Sequence, residues 1–414
     1  MPRTYVFDRS AAEPAEAPRL DPSQQAVVDH AGGPLLVLAG PGTGKTTTLV
    51  EAVVDRIDNR GVRPEEVLVL TFSRKAAEEL RTRIGKRLGR TTTAVPAMTF
   101  HSFCYGLVRE FQDKEAYSSP LTLLSAGEQD WRIQEVVTNT LELGSVDWPE
   151  ALRPALATRG LARELQALMA RARSLGMEPK HVSDIAVAYD RPDWAVAAKV
   201  FEGYLTNLDY LGQVDYSEVV YRAVLIALHE EFGPKLRGRY KLVVVDEYQD
   251  TDPLQVRLLQ ALAGGGRDLI AVGDPDQSIY AFRGADIRGI YDFGDDFATA
   301  EGPAPALALT TTRRFGPVIL SASRSILGDT GRLGRIDTEI FDTFRNPESV
   351  DPEYGDGEVS VCTYATAAAE AEHIALLLRE AHLRDELPWH EMAVLVRSGT
   401  ASLPRLQRAL VAAG

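Results

Sequence analysis

The stretch Leu35–Thr46 limits what this chain can fold into more than any other. An apolar run, Leu35–Leu38, leads into a glycine-rich turn, a lysine and a run of threonines that opens a helix. In such a strand–loop–helix, glycines let backbone N–H groups surround a phosphate, and the helix N-terminus adds a positive dipole end. The pattern G-x-x-x-x-G-K-[ST] is met except at its first glycine, which is alanine here. We predict a phosphate-binding loop made of Ala39, Gly40, Pro41, Gly42, Thr43, Gly44, Lys45, Thr46 and Thr47.

A second stretch, Lys241–Asp250, supplies the acidic groups that such a loop needs for catalysis. Its apolar residues predict a strand that delivers Asp246 and Glu247 to the C-terminal edge of a sheet, where open α/β folds bind ligands. Lys45 is expected to reach the β- and γ-phosphates, and Thr46 and Asp246 to hold Mg²⁺. Glu247 is expected to accept the proton of the attacking water. A metal ion and a positioned base are the minimal equipment for hydrolysing a γ-phosphate.

Near-continuous apolar runs recur along the chain and predict buried parallel strands. Besides the two described above, they are Val67–Thr71, Val95–Thr99, Leu269–Val272 and Leu307–Leu309. Helical patterns separate most of these runs, which predicts an α/β fold with a nucleotide-binding parallel sheet. Between about residues 108 and 211 the alternation stops. Long amphipathic stretches there predict a mostly helical insertion without a convincing strand.

The two ends of the chain follow different patterns. Residues 1–19 are rich in Ala, Pro and Glu and predict a disordered arm. After about residue 308 the pattern predicts a second α/β unit, of which the chain contains only the first part. Its predicted elements are a strand over 359–364, a helix over 367–382, a strand over 392–396 and a helix over 402–413.

Bulk composition excludes several classes of protein. No apolar run approaches the roughly 20 residues of a membrane span, and the N-terminus lacks the layout of a signal peptide. Two cysteines, Cys104 and Cys362, give neither a disulfide framework nor a metal-binding spacing. These features predict a cytoplasmic protein without a membrane partner. The net charge of −14 argues against a surface coated in nucleic acid but leaves room for a local groove.

Three further segments place polar and aromatic side chains just beyond predicted strands. In Gly273–Ala285, Gln277 can bond a γ-phosphate from the sheet edge, while Tyr280 and Phe282 alternate in a way that suits base stacking. Thr71–Ala77 and Thr99–Cys104 likewise carry hydroxyls, aromatics and a histidine. Taken alone, the aromatics are better explained as core residues, and His101 as a structural histidine.

Taken together, and in the order in which they follow one another along the chain, the five segments resemble the UvrD/Rep family of superfamily 1A DNA helicases. The resemblance extends over roughly residues 20 to 400. It implies two RecA-like domains with ATP and Mg²⁺ between them, and single-stranded or duplex-junction DNA bound across their tops and moved 3′ to 5′. It also implies a domain division: 20–107 with 212–308 as the first RecA-like domain, 108–211 as its helical insertion, and 309–414 as part of the second.

The resemblance also assigns roles to single residues. Gln24 is expected to read adenine, and Gln277 to sense the γ-phosphate beside the catalytic Lys45 and Glu247. The residues expected near the single strand are Thr71, Phe72, Thr99, His101, Phe103, Tyr280, Phe282 and Arg283.

The chain departs from the family pattern at two places. Where the family has N-Y-R-S, this chain has Thr312–Phe315, so Arg313 replaces the tyrosine that stacks on adenine, and Arg314 is the arginine expected to reach the γ-phosphate. A guanidinium can also stack on a base, so adenine binding is expected to be weakened rather than lost. The family's later motifs are absent from these residues. We therefore expect a motor fragment that hydrolyses ATP poorly and does not unwind DNA by itself.

Other functions stay open at this point. A P-loop ATPase that acts on protein or small molecules would show the same phosphate loop, and a motor kept only as a structural subunit would keep the same fold. The resemblance further allows a second helicase or nuclease subunit as a partner. The structural-subunit alternative is disfavoured by intact Lys45, Thr46, Asp246, Glu247, Gln277 and Arg314.

Overall fold

The computed structural model describes residues 16–89, 95–111, 121–281, 284–327, 335–353 and 355–414. Most of the predicted N-terminal arm, together with Phe282 and Arg283, lies outside these residues. The chain divides into two compact units with the boundary between Gly357 and Glu358. The sequence pattern put a domain boundary at about residue 309 instead. The assignment of residues 309–414 to a second RecA-like domain stays a prediction.

The first unit is built around a six-stranded parallel sheet, in the order β3-β2-β6-β7-β1-β8. Two short parallel pairs, β4 with β5 and β9 with β10, lie outside it. The strands are β1 (Pro34–Leu38), β2 (Val67–Thr71), β3 (Ala97–Thr99), β4 (Thr122–Leu123), β5 (Gln213–Val214), β6 (Leu242–Val245), β7 (Asp268–Gly273), β8 (Ala306–Ala308), β9 (Thr311–Thr312) and β10 (Glu348–Ser349).

Apolar residues on both faces of the strands explain why the sheet is buried in the middle of the unit. In β1, Leu36 and Leu38 join one hydrophobic cluster, whereas Leu35 and Val37 join the cluster on the opposite face. Successive side chains of a strand point to opposite faces, so a continuous apolar run fills two cores at once. All six predicted sheet strands are confirmed, with β3 shorter than its apolar run and β8 one residue earlier.

Helices cover both faces of the sheet and form the region between β3 and β6. In the first unit they are α1 (Pro22–Asp29), α2 (Lys45–Asp58), α3 (Arg74–Leu88), α4 (Phe100–Glu110), α5 (Ala126–Glu142), α6 (Arg159–Ser174), α7 (Pro179–Ala188), α8 (Pro192–Tyr210), α9 (Tyr216–Leu228), α10 (Phe232–Arg239), α11 (Pro253–Ala263), α12 (Arg288–Tyr291), α13 (Phe293–Asp296), α14 (Pro317–Leu327) and α15 (Thr338–Arg345).

The region from α5 to α8 has a hydrophobic core of its own, which includes Ile133, Trp148 and Phe201. Its helical character agrees with the sequence pattern. The expectation that it holds no strand is wrong in one detail, because Thr122–Leu123 pairs with Gln213–Val214. This short ladder joins the two ends of the helical region, where chain segments far apart in sequence meet.

The second unit contains α16 (Ala367–Arg384) and α17 (Gly399–Ala413), which confirms both helices predicted there. The strands predicted over 359–364 and 392–396 are not formed. Apolar patterning alone does not make a strand, because an extended segment needs a neighbour for its N–H and C=O groups. Val361 and Leu395 are accordingly 90% and 94% exposed. Along the described part of the chain, no helix has the length and apolar character needed to cross a membrane.

Candidate nucleotide site and adjoining groove

The loop between β1 and α2 has the geometry of a phosphate cradle. Gly42 and Gly44 have φ angles of 76° and 85°, in the left-handed region that favours glycine. Neither position has room for a side chain. A Cβ added to Gly42 would lie 2.5 Å from Arg314 Cβ, and a Cβ added to Gly44 would lie 2.4 Å from Gln24 Nε2. Ala39, at the position of the missing glycine, is fully buried and donates its N–H to Gly273 O at 3.0 Å. Alanine is therefore accommodated as an extension of the strand.

One side chain of the loop itself and two from other segments hold this loop in place. Thr43 Oγ1 donates to Gly40 O at 2.8 Å, and Gln24 Nε2 donates to Thr43 O at 2.9 Å. Thr312 Oγ1 donates to Pro41 O at 2.9 Å. The backbone N–H groups at the start of α2 have no partner within the helix, as expected at a helix N-terminus. Thr46 and Thr47 lie in this first turn and are half-buried.

The predicted acidic pair lies across from the loop, at the end of β6. Lys45 Nζ is 3.1 Å from Glu247 Oε2, so the loop lysine and the expected general base form an ion pair. Glu247 has a φ of 54°, a left-handed conformation that is uncommon for a residue with a side chain and recurs at functional sites. The structure therefore joins two predicted catalytic residues that are 202 positions apart in sequence.

Asp246 is buried beside this pair. Loss of solvent on burial, together with the neighbouring Glu247 carboxylate, raises the pKa of Asp246 to about 6. One oxygen of a second carboxylate, Asp250 Oδ1, is buried without a hydrogen-bond partner. Three carboxylates, those of Asp246, Glu247 and Asp250, thus lie at the end of β6, and Lys45 compensates only part of their negative charge.

These groups fit Mg²⁺. Thr46 and Asp246 offer the hard oxygen ligands that the ion prefers. Among the described residues, no group of three or more His, Cys, Asp or Glu side chains could hold a metal ion. Mg²⁺ in nucleotide sites is held by one or two protein oxygens plus phosphate oxygens and water, so a full protein cage is not required.

Gln277 lies one strand further along, in a short 3₁₀ turn, Pro275–Gln277, that follows β7. Its side-chain amide donates to Asp274 Oδ2. Asp274 N in turn donates to Gln249 Oε1 at 2.9 Å, and Gln249 Nε2 donates to Glu247 Oε2 at 2.9 Å. Sequence reasoning assigned no role to Gln249. Its position two residues after Glu247, at the same sheet edge, is the signal that could have found it.

Arg313 and Arg314, which lie where the sequence departs from the family pattern, are beside the phosphate loop and α1. Arg313 N donates to Gly42 O at 3.1 Å, while its guanidinium lies 3.2 Å from Asp21 Oδ2. Asp21 is the N-cap of α1, the helix that carries Gln24. Arg314 is adjacent to Gly42. Stacking of Arg313 on a base and contact of Arg314 with a γ-phosphate stay predictions.

A groove of about 1170 Å³ adjoins the nucleotide site. Phe72 and Tyr280 stack along it with ring centroids 4.6 Å apart. His101 contacts Tyr216 edge to face at 5.3 Å, and burial lowers the pKa of His101, which favours the neutral imidazole. The groove is lined by residues from both the sheet edge and the helical region, including Gln166, Arg171, Ser174, Ser278 and Arg288. Phe72, His101 and Tyr280, three residues predicted to lie near nucleic acid, thus line one cavity.

Three further predicted nucleic-acid residues, Phe103, Thr99 and Thr71, are not among the described residues that line this groove. Phe103 is 3% exposed and packs against Tyr240 in the core, so the prediction that it contacts nucleic acid is wrong. Thr99 caps α4 by accepting a hydrogen bond from Ser102 N at 3.2 Å. Thr71 is fully buried at the end of β2. The Thr99 hydroxyl is therefore used in capping α4, and the Thr71 hydroxyl is enclosed in the protein interior. Neither is presented to the groove.

The parallel sheet, the phosphate cradle and the acidic pair together define a P-loop nucleotide-binding protein of RecA-like fold. The model of the UvrD/REP helicase N-terminal domain matches residues 20–298. This match covers well over half of the chain, and the chain therefore belongs to the UvrD/REP helicase family.

Named relatives agree with this assignment. The ATP-dependent DNA helicase PcrA of Staphylococcus aureus is 27% identical over 389 residues, covering 92% of this chain and 48% of the relative. DNA helicase II of Escherichia coli is 30% identical over 318 residues, covering 76% of this chain and 41% of the relative. The chain thus spans about half the length, or less, of these curated relatives.

Proposed function

We propose that this chain is the ATP-hydrolysing part of a DNA helicase motor that moves 3′ to 5′ along single-stranded DNA. One observation carries the proposal. A single segment after β7 holds Gln277 in the network around Glu247 and, three residues later, stacks Tyr280 on Phe72 in the adjoining groove. A change at the nucleotide can therefore reach the groove through a few bonds of one chain segment.

In the proposed reaction, the ion pair between Lys45 and Glu247 is exchanged for contacts with the nucleotide. Lys45 turns to the β- and γ-phosphates, which leaves the Glu247 carboxylate free to accept a proton from the attacking water. Thr46 and Asp246 would hold Mg²⁺, which would supply charge neutralisation at the phosphates. Gln249 keeps the Glu247 side chain oriented through its hydrogen bond at 2.9 Å.

On the DNA side, we assign the groove to single-stranded DNA. Aromatic rings along a groove stack on bases of any sequence, and each such contact contributes roughly 1–3 kcal/mol. Phe72 and Tyr280 supply such rings. Arg171 and Arg288 line the same cavity, where Arg288 pairs with Asp286 at 2.6 Å. The negative net charge of the whole chain is compatible with such a local binding surface.

The domain division implied by the family resemblance is part of this proposal. Residues 20–107 and 212–308 form the first RecA-like domain, 108–211 its helical insertion, and 309–414 part of a second. Independent cores for the sheet and for α5–α8 support the separation of the insertion. The proposal also places the protein in the cytoplasm, where ATP is abundant.

Steady-state ATP hydrolysis with and without an unstructured single-stranded oligonucleotide tests the proposal. We expect the single strand to stimulate hydrolysis and a Tyr280→Ala variant to need more DNA for half-maximal stimulation. Hydrolysis that is the same with and without DNA would favour a P-loop ATPase that acts elsewhere. Absence of hydrolysis with nucleotide binding retained would favour a structural motor subunit.

A further inference from the structure

We propose that Arg345, at the end of α15, is a positioning residue for the turn Pro275–Gln277. Arg345 Nη2 donates to Asp276 Oδ1 at 2.6 Å, and Arg345 Nε donates to Asp276 Oδ2 at 3.0 Å. This two-point pair is only partly exposed, at 19% for the arginine side chain and 16% for the aspartate. The proposal rests on the proposed function, because it concerns the turn that carries the γ-phosphate sensor.

Contacts within its own helix hold Arg345 in place independently of its pair with Asp276. Phe341 and Phe344, on the same helix, are buried in the sheet's hydrophobic core. The guanidinium carbon of Arg345 lies 4.6 Å from the centre of the Phe341 ring. A planar guanidinium presents two parallel N–H donors to a carboxylate, so its orientation sets that of the carboxylate. A helix anchored in the core therefore fixes the turn from outside the nucleotide site.

The salt bridge is one end of a continuous network of hydrogen bonds. Asp276 N donates to Asp274 Oδ1 at 3.0 Å, and Asp274 N donates to Gln249 Oε1 at 2.9 Å. Gln249 then contacts Glu247, which pairs with the loop lysine. From the salt bridge to the phosphate loop the network runs through Asp276, Asp274, Gln249, Glu247 and Lys45.

The same turn also leads to the groove. Ser278 Oγ donates to Gln249 O at 3.3 Å, and Tyr280 stacks on Phe72 two residues later. Arg345 thus holds the chain segment that connects the surroundings of Glu247, the expected base, with the stacked rings of Tyr280 and Phe72. Without this salt bridge, Gln277 and Tyr280 are no longer held in one arrangement, and the turn samples conformations that do not support hydrolysis.

This role predicts a specific kinetic pattern. The phosphate loop, which supplies the ground-state contacts of the nucleotide, is fixed by Gln24, Thr43 and Thr312 rather than by Arg345. Loss of the salt bridge should lower kcat while KM for ATP changes little, because the sensor acts mainly in the transition state. A residue that only stabilised the fold would lower the amount of active protein and leave the DNA dependence of the remaining activity unchanged.

The test compares Arg345→Ala and Arg345→Lys with Arg335→Ala in the full chain. Arg335 is a matched control, since it forms an ion pair with Asp295 at 2.8 Å but is 80% exposed. For Arg345→Ala we expect DNA-stimulated kcat to fall about tenfold or more, with KM for ATP within about twofold. Lysine keeps the charge without the two-point geometry and should restore part of the loss. The control should match wild type.

Hydrogen exchange gives a readout that does not depend on DNA or ATP turnover. The amides of Asp276 and Gln277 donate to Asp274, so they should exchange faster in Arg345→Ala and not in Arg335→Ala. Unchanged exchange at these amides overturns the positioning role, as does a wild-type kcat in an Arg345→Ala protein. A wild-type protein without DNA-stimulated hydrolysis counts against the proposed function instead, and the exchange result then decides on Arg345 separately.

Discussion

Lys45 and Glu247 neutralise each other across the cleft between the phosphate loop and the end of β6. While the pair is formed, the lysine ammonium is not available to a phosphate, and the carboxylate oxygen that it contacts is not available to a water molecule. Nucleotide binding must therefore separate the two side chains. Glu247, with its left-handed backbone, holds its carboxylate 3.1 Å from the loop lysine.

A Glu247→Gln variant should bind ATP at least as tightly as wild type and hydrolyse it far more slowly. Glutamine releases Lys45 to the phosphates but cannot accept a proton, and loss of a general base lowers rates by about 10²–10⁴-fold. Nucleotide affinity and single-turnover hydrolysis measure the two effects. Lys45→Ala is the companion variant, in which affinity itself should fall. Near wild-type turnover in Glu247→Gln would show that another group accepts the proton.

Arg313→Tyr should sharpen the preference for ATP over GTP. An aromatic ring offers a flat platform for a base, worth at most roughly 1–3 kcal/mol, and the arginine it replaces is held by Asp21 at 3.2 Å. Competition between the two nucleotides for the binding site measures the change. Arg313→Ala serves as the control, because it removes the same ion pair without adding a ring. Equal preference in all three proteins would mean that residue 313 faces away from the base.

The sheet edge brings together elements that are far apart in sequence. Strands β1, β6 and β7 end side by side, so the phosphate loop, the acidic pair and the Gln277 turn meet there. This much follows from apolar runs followed by polar residues, since parallel strands align their carboxyl ends. The Arg345 contact could not be foreseen in this way. It depends on how α15 packs, and no local pattern encodes that packing.

Helix α4 shows where residue type alone is insufficient. His101 lines the groove and Phe103, two positions later, is in the core. Residues two apart on a helix do not share a face, so only one of them can point to the groove. The sequence supplied both as candidates. The orientation of the helix against the sheet selected between them.

Tyr280→Ala should weaken binding of single-stranded DNA and leave ATP affinity without DNA nearly unchanged. The ring stacks on Phe72 in the groove, and loss of one stacking contact corresponds to roughly 1–3 kcal/mol. Fluorescence anisotropy with a labelled oligonucleotide measures the change. Phe103→Ala is the matched aromatic control, expected to lower the unfolding temperature because it leaves a cavity in the core. Unchanged DNA affinity in Tyr280→Ala would remove that ring from the binding surface.

The two compact units of the chain differ in whether their apolar extended segments form backbone hydrogen bonds with a neighbouring strand. In the first, the sheet strands have neighbours within the described residues, whereas the apolar segments 359–364 and 392–396 of the second form no ladder. The apolar pattern of these segments predicted two strands, and that prediction is wrong. A strand forms only beside a neighbouring strand, and the apolar pattern of one segment does not indicate whether such a neighbour is present.

Hydrogen exchange of the whole chain should show this difference directly. Amides of residues 35–38, in the middle of the sheet, should be among the slowest to exchange. Amides of 359–364 and 392–396 should exchange at nearly unprotected rates, because protection requires a stable hydrogen bond. Equal protection of these segments and β1 would contradict the structural account of the second unit.

The proposed function requires that the nucleotide site and the groove communicate, and reciprocal binding experiments measure this coupling. The affinity for a single-stranded oligonucleotide is determined with and without a non-hydrolysable ATP analogue, and the affinity for the analogue with and without the oligonucleotide. If the Gln277–Tyr280 segment connects the sites, both affinities should change by the same factor, in the range of about 5–150-fold. An oligonucleotide affinity that is identical with and without saturating analogue would contradict the account.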